Sequence, residues 1–142
     1  MGRFHSTFYS FGKNKNLEAD SFREYFLEYD SEQWKTEGGG SLQFLKDSGM
    51  IVSLTIIQSS IYGISLFYDC YDQVHKNTLC DFCSVGDEKK LAMIEDIGDE
   101  EFYPIGAFID PKHAWFAVED FFENPLEKSK RIEWISSDQI NW

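Results

Sequence analysis

Apolar positions along the chain change period several times, and each change marks an element. Tyr62, Ile64, Leu66 and Tyr68 alternate with Gly63, Ser65, Phe67 and Asp69. Alternation sends successive side chains to opposite faces, so this stretch predicts a strand with one apolar face. Residues 41–46 and 50–57 carry a similar signal on either side of Asp47-Ser48-Gly49, which predicts a hairpin. Shorter stretches predict further strands at 7–11, 79–85, 90–95, 102–109 and 131–136. Gly12 to Asn16 and Gly86-Asp87 read as turns.

Two stretches change to helical spacing. Phe22, Tyr25, Phe26 and Tyr29 share one face, and Ser21 stands three residues before Glu24 as a capping box. This predicts an amphipathic helix over 21–32, with Arg23, Glu24, Glu28 and Glu32 outside. The second start is sharper. Asp110 suits a helix cap and Pro111 the first helical position. Ala114, Trp115, Val118, Phe121 and Phe122 then mark one face, and Asn124-Pro125 ends it, which predicts a helix over 111–123. Gly38-Gly39-Gly40 precedes a strand rather than a helix and lacks a phosphate-loop lysine, so it predicts a bulge or a close backbone approach. Residues 126–130 form a basic connector and 137–142 a tail. The sum is an α+β fold: a twisted antiparallel sheet of about five to seven strands with two main helices packed against it. No linker or repeat divides the chain, so one domain over 1–142 is expected. Trp115, Val118, Phe121 and Phe122 should be largely buried, with several of Ile51, Leu54, Ile56 and Leu66.

Composition adds two points. Aromatics are 17% of the chain, with 13 Phe, 7 Tyr and 4 Trp, which excludes general disorder and leaves aromatic surface to spare for an interface. The net charge is −12, from 25 acids against 13 bases, which disfavours nucleic acid and anionic membrane and steers toward a basic partner. Glu95, Asp96, Asp99, Glu100 and Glu101 crowd into one Gly-containing loop. Like charges this close need solvent or a cationic partner, so Asp96, Asp99, Glu100 and Glu101 are the candidate interface, with Tyr71 and Asp72 as nearby candidates. The apolar run around 50–67 is broken by Ser53, Thr55, Gln58, Ser59 and Ser60, and a bilayer span takes about 20 predominantly apolar residues. No secretion signal is apparent, and an odd number of cysteines argues for a reducing compartment, so a cytoplasmic location is expected.

Chemistry is harder to find. Cys70, His75, Cys80 and Cys83 have metal-ligand residue types, but an extended 79–85 points Cys80 and Cys83 to opposite faces, so no zinc is expected. His5, His75 and His113 sit in an N-terminal segment, a polar loop and a first helical turn, and no Gly-x-Ser-x-Gly elbow accompanies them. Glu119-Asp120 reads as the solvated face of the second helix, and the acidic loop lacks calcium-loop spacing. No catalytic residue, cofactor or metal is expected.

One resemblance organises these pieces. Trp34 before Gly38-Gly39-Gly40, the hairpin, the strand ending Leu66-Phe67-Tyr68-Asp69, the run from Pro104-Ile105-Gly106 to Asp110-Pro111, the helix with Ala114, Ala117 and Phe121, and Ile132-Glu133-Trp134 follow one another in an order that resembles the Imm1 family of bacterial immunity proteins. The match spans roughly residues 34–136 and departs after the second helix, where Pro125 comes early and 126–130 intervene. It implies a non-enzymatic cytoplasmic antidote, a monomer alone, that binds a cognate secreted or contact-delivered toxin domain one to one. The implied toxin is a basic nuclease or nucleic-acid deaminase. The competing expectation is a small-ligand-binding or enzymatic α+β domain, which a deep pocket with convergent polar groups would support. A zinc-stabilised adaptor is the third.

Overall fold

The computed structural model describes residues 2–13, 15–98 and 100–140. The fold is α+β, with helices against an antiparallel sheet. Strands β1 (Gly2–Ser6), β2 (Gly40–Lys46), β3 (Met50–Ser59), β4 (Gly63–Asp72) and β5 (Asn77–Val85) lie side by side in chain order. Three further strands, β6 (Ile94–Asp96), β7 (Phe102–Pro104) and β8 (Phe108–Ile109), lie in the stretch that follows, and β8 pairs the start of β4. After α3 (Pro111–Glu123), β9 (Glu133–Ser136) adds to β5. Strands β6 and β7 pair only with each other. Two short helices, α1 (Arg23–Leu27) and α2 (Ser31–Glu37), precede β2.

The expected hairpin forms with Leu42 opposite Leu54 and Phe44 opposite Val52, so the apolar set shares one face. Ile56 then meets Leu66, and Leu54 meets Tyr68. Helix α3 lies over this face with Ala114, Trp115, Val118 and Phe121 buried, and Leu54, Ile56 and Leu66 are buried beneath it. Phe122 is half-buried, packed on Phe4 and Phe22 at ring distances of 5.1 and 5.8 Å. Ile51 is also half-buried, because it lies on the other face of β3. The start of α3 is built as expected. Asp110 accepts from the His113 N–H at 2.9 Å and Pro111 takes the first helical position.

The first helix is corrected. Residues 21–32 form α1 and α2 with a break between. Asp30 is extended and accepts from the Glu32 N–H at 3.0 Å, capping a new helix rather than continuing the old one. A short acceptor that satisfies a free N–H competes with the helix interior. Ser21 caps nothing: its hydroxyl donates to the Asn16 carbonyl, and Phe22 takes the cap position of α1 without a side-chain bond. Trp34, fully buried, donates its indole N–H to the Tyr25 carbonyl at 2.9 Å and ties the two helices together.

The first strand is also corrected. It is Gly2–Ser6, while 7–11 coils around the carboxylate of Glu37. The N–H groups of Tyr9, Ser10 and Phe11 and the Ser10 hydroxyl all donate to Glu37. Successive N–H groups turned onto one anion cannot also alternate along a ladder. The coil seats Phe8 and Phe11 in the core, with Phe11 stacked on Tyr25 at 3.8 Å.

Three other strands are shorter than expected. Residues 90–95 begin in a helical turn, Glu88–Lys90, where Asp87 accepts from the Lys89 N–H, and only β6 is extended. Residues 102–109 divide into β7, a turn at Ile105–Ala107, and β8. At that turn the Gly86 and Asp87 N–H groups both donate to the Gly106 carbonyl, at 2.7 and 3.0 Å. Side chains have no room there: a Cβ on Gly86 would lie 1.9 Å from the Phe108 oxygen, and one on Gly106 2.2 Å from that of Asp87. The last strand loses Arg131 and Ile132, because the Arg131 guanidinium turns back to Glu119 and Asp120 at 2.8 and 2.6 Å. The triple glycine is a close approach. Gly38 ends α2 at φ 82°, and a Cβ on Gly39 would lie 2.8 Å from the Ile56 oxygen.

Candidate functional site

The acidic loop is the tip of the β6–β7 hairpin. Its frame comes from short local bonds: Asp96 accepts from the Gly98 N–H at 2.8 Å, and the Ile97 and Glu101 N–H groups close the turn. Glu100 sits at φ 62°, a backbone region that suits glycine better. Glu95, Asp96, Glu100 and Glu101 are exposed, and Asp99 lies outside the described residues. Side chains of both its strands tie the hairpin to the sheet, Ile94 in the cluster with Cys83 among them. Tyr62 donates to Glu95 at 2.6 Å, which raises the phenol pKa, and Tyr103 packs on Phe67 at 5.7 Å.

Tyr71 and Asp72 stand apart from this tip. They end β4, four and five residues beyond Phe67, where Tyr103 of the hairpin packs, which is roughly 15 Å along a strand. Asp72 is occupied by its own turn. It takes N–H bonds from Val74 and His75 and contacts His75 Nδ1 at 2.7 Å, and the His75 bond is the main cause of its lowered pKa. Tyr71 is exposed beside it. The sequence candidates thus occupy two separate places.

A third place lies between them. The outer face of the sheet, opposite the helices, has the β6–β7 hairpin over one half, around Phe67, Cys83 and Ala107. On the other half Leu45, Ile51 and Ile57 pack, among the described residues, into neither core. Strand register lines up a polar row across that half. His5 pairs Gln43, Gln43 pairs Ser53, Ser53 pairs Asp69, and Asp69 pairs Asp81. Ser53 stands directly opposite Asp69, and Ser137 donates to Asp81 at 3.0 Å. Burial and the facing Asp81 raise the Asp69 pKa. Neither carboxylate is in a salt bridge among the described residues. The row was invisible in the sequence because register, not spacing, assembles it. The one usable signal was the pair of aspartates at outward positions of two strands.

The cysteines divide as alternation requires. Cys70 and Cys80 pair across β4 and β5 on the helix side, while Cys83 is buried on the other face. His75 lies in the exposed turn with Asp72. No group of three or more His, Cys, Asp or Glu able to hold a metal occurs among the described residues. Burial, reinforced by the Cys70 thiol, pushes Cys80 up to about 12, and burial does the same to Cys83. Cys70 and Cys80 line an open groove of about 610 Å³ with Tyr68, Phe82, Lys128 and Trp134. Glu127, Ser129 and Lys130 line it too, and two of its aromatic residues spend their polar atoms within the chain. The Tyr68 hydroxyl donates to the Pro125 carbonyl and the Trp134 N–H to that of Ser129, both at 2.8 Å, while Lys128 lies 4.3 Å from the Phe82 ring centre.

Comparison with family models, with curated proteins and with solved structures returns no match. Among the described residues no helix is long and apolar enough to cross a membrane.

Proposed function

We propose that this chain is a cytoplasmic immunity protein of the Imm1 kind, which binds one copy of a basic toxin domain and silences it by occlusion. The observation that carries this reading is the acid excess, −12 over the chain, of which Glu95, Asp96, Glu100 and Glu101 stand exposed on one hairpin. A domain that acts on nucleic acid needs a basic groove for phosphates. An acidic surface fits such a groove, and long-range attraction speeds capture. The reading assigns no catalysis, cofactor or direct nucleic-acid contact to this chain.

The test is co-expression with the toxin domain encoded next to it. Growth should recover, and the two proteins should co-elute one to one. Association should slow as salt rises, since charges are screened beyond about 8 Å at physiological ionic strength. Replacing Glu100 and Glu101 with Lys should slow association and flatten that salt dependence, while Asp96 and Glu95 still hold the hairpin. Continued growth arrest with both proteins soluble would overturn the reading.

A further inference from the structure

We propose that the uncovered half of the outer sheet face is the surface on which that basic partner docks, with an arginine or lysine of the partner seated between Asp69 and Asp81. This rests on the function proposed above and names the anchor within it.

Two like charges directly opposite on neighbouring strands are destabilising, since their Cβ atoms lie about 5 Å apart. Among the described residues the Ser137 hydroxyl donates to Asp81 and Ser53 stands opposite Asp69, and neither brings a positive charge to the pair. Among the described residues no base pairs with either aspartate in strand register, and the bases of the row's own far end, Arg3 and His5 on β1, lie four strands or about 19 Å from the strand of Asp81. A guanidinium is the complementary group, because its fork of donors can serve two carboxylates at once. Apolar area surrounds the anchor: Ile51 and Tyr71 pair with each other on one side of the row, and Thr55 and Phe67 on the other. A central charged anchor within an apolar patch is the usual make-up of a binding hot spot. The uncovered half measures roughly 20 by 25 Å from strand spacing and rise, less than the about 800 Å² a stable interface covers on each side. The hairpin that stands over Phe67 supplies the remaining rim, which gives its exposed acids a place in the same interface. A second copy of this chain is a poor occupant, since it would bring another −12 onto the same face.

Asp69→Asn with Asp81→Asn removes the charges and keeps the shapes. In the free chain the pair of substitutions should raise the thermal midpoint by a few degrees, and a lower midpoint would show the carboxylates to be structural. Against the toxin domain, the double variant should bind at least about tenfold more weakly, mainly through faster dissociation. If the wild-type chain binds and the variant binds as tightly, the docking surface is wrong and the proposed function stands. If the wild-type chain does not bind, the proposed function fails, and a hexa-arginine peptide then decides the surface alone. Titrated into labelled protein, it should move the amide signals of Ser53, Asp69 and Asp81, and the double variant should abolish this. Shifts confined to the 95–101 hairpin would overturn the proposal.

Discussion

Glu37 shows how one side chain can hold a segment that its own sequence leaves undecided. It is 8% exposed, and burial alone would raise its pKa. The Ser10 hydroxyl and the N–H groups of Ser10, Phe11 and Tyr9 outweigh that, and the net shift is downward from 4.5. The sign follows from linkage. A carboxylate bound in the folded state contributes stability above its unfolded pKa and loses it as pH falls through the lower folded value. Glu37→Gln should therefore cost about 3 kcal/mol near neutral pH, since charge-assisted bonds are lost and donors are left buried. Urea melts should show that deficit shrinking as pH falls below about 4.5, where the unfolded carboxylate takes its proton first and the folded one follows at lower pH. An equal deficit at pH 3 and pH 7 would rule the carboxylate's charge out as the cause. None of this was legible in the chain, because Glu37 and residues 9–11 are distant in sequence and no local pattern links them. Asp69 and Asp81 were missed for the same reason.

Elements whose start and stop signals are local were legible to the residue. Helix α3 occupies 111–123 because cap, proline, apolar stripe and terminator all lie within it or next to it. Burial would raise the Asp110 pKa, but bonds from the His113 N–H and ring turn the shift downward. Asp110→Ala should cost about 1 kcal/mol, the usual worth of an N-cap, and lower the midpoint by about 3 °C in calorimetry. A melting point within error of wild type would mean that packing alone holds α3. The elements read wrongly are those where a local signal met a stronger neighbour. The apolar spacing from Phe22 to Tyr29 is helical, and spacing cannot register that Asp30 caps a second helix after it. The run 102–109 alternates well enough for one strand, yet the crossing of Gly86 and Gly106 turns it aside.

At the scale of the molecule, alternation and helical stripes were enough to place the α+β class and the apolar face, since each strand's pattern has to agree with its neighbour's. The candidate site was legible only as a surplus of acid, because charge content carries no information about which acids meet. The sheet has one more consequence, in time rather than in space. From β1 to β5 its order is the order of the chain, so each strand emerging from a ribosome finds its neighbour already made. Only β8, β9 and the covering helix α3 must wait for the last third. Contacts near in sequence form early because short loops close at little entropic cost. Pulse-labelled hydrogen exchange during refolding should thus find the β3–β4 amides protected first and those of β9 last. Simultaneous protection across the sheet would mean that α3 has to dock before any strand is secure.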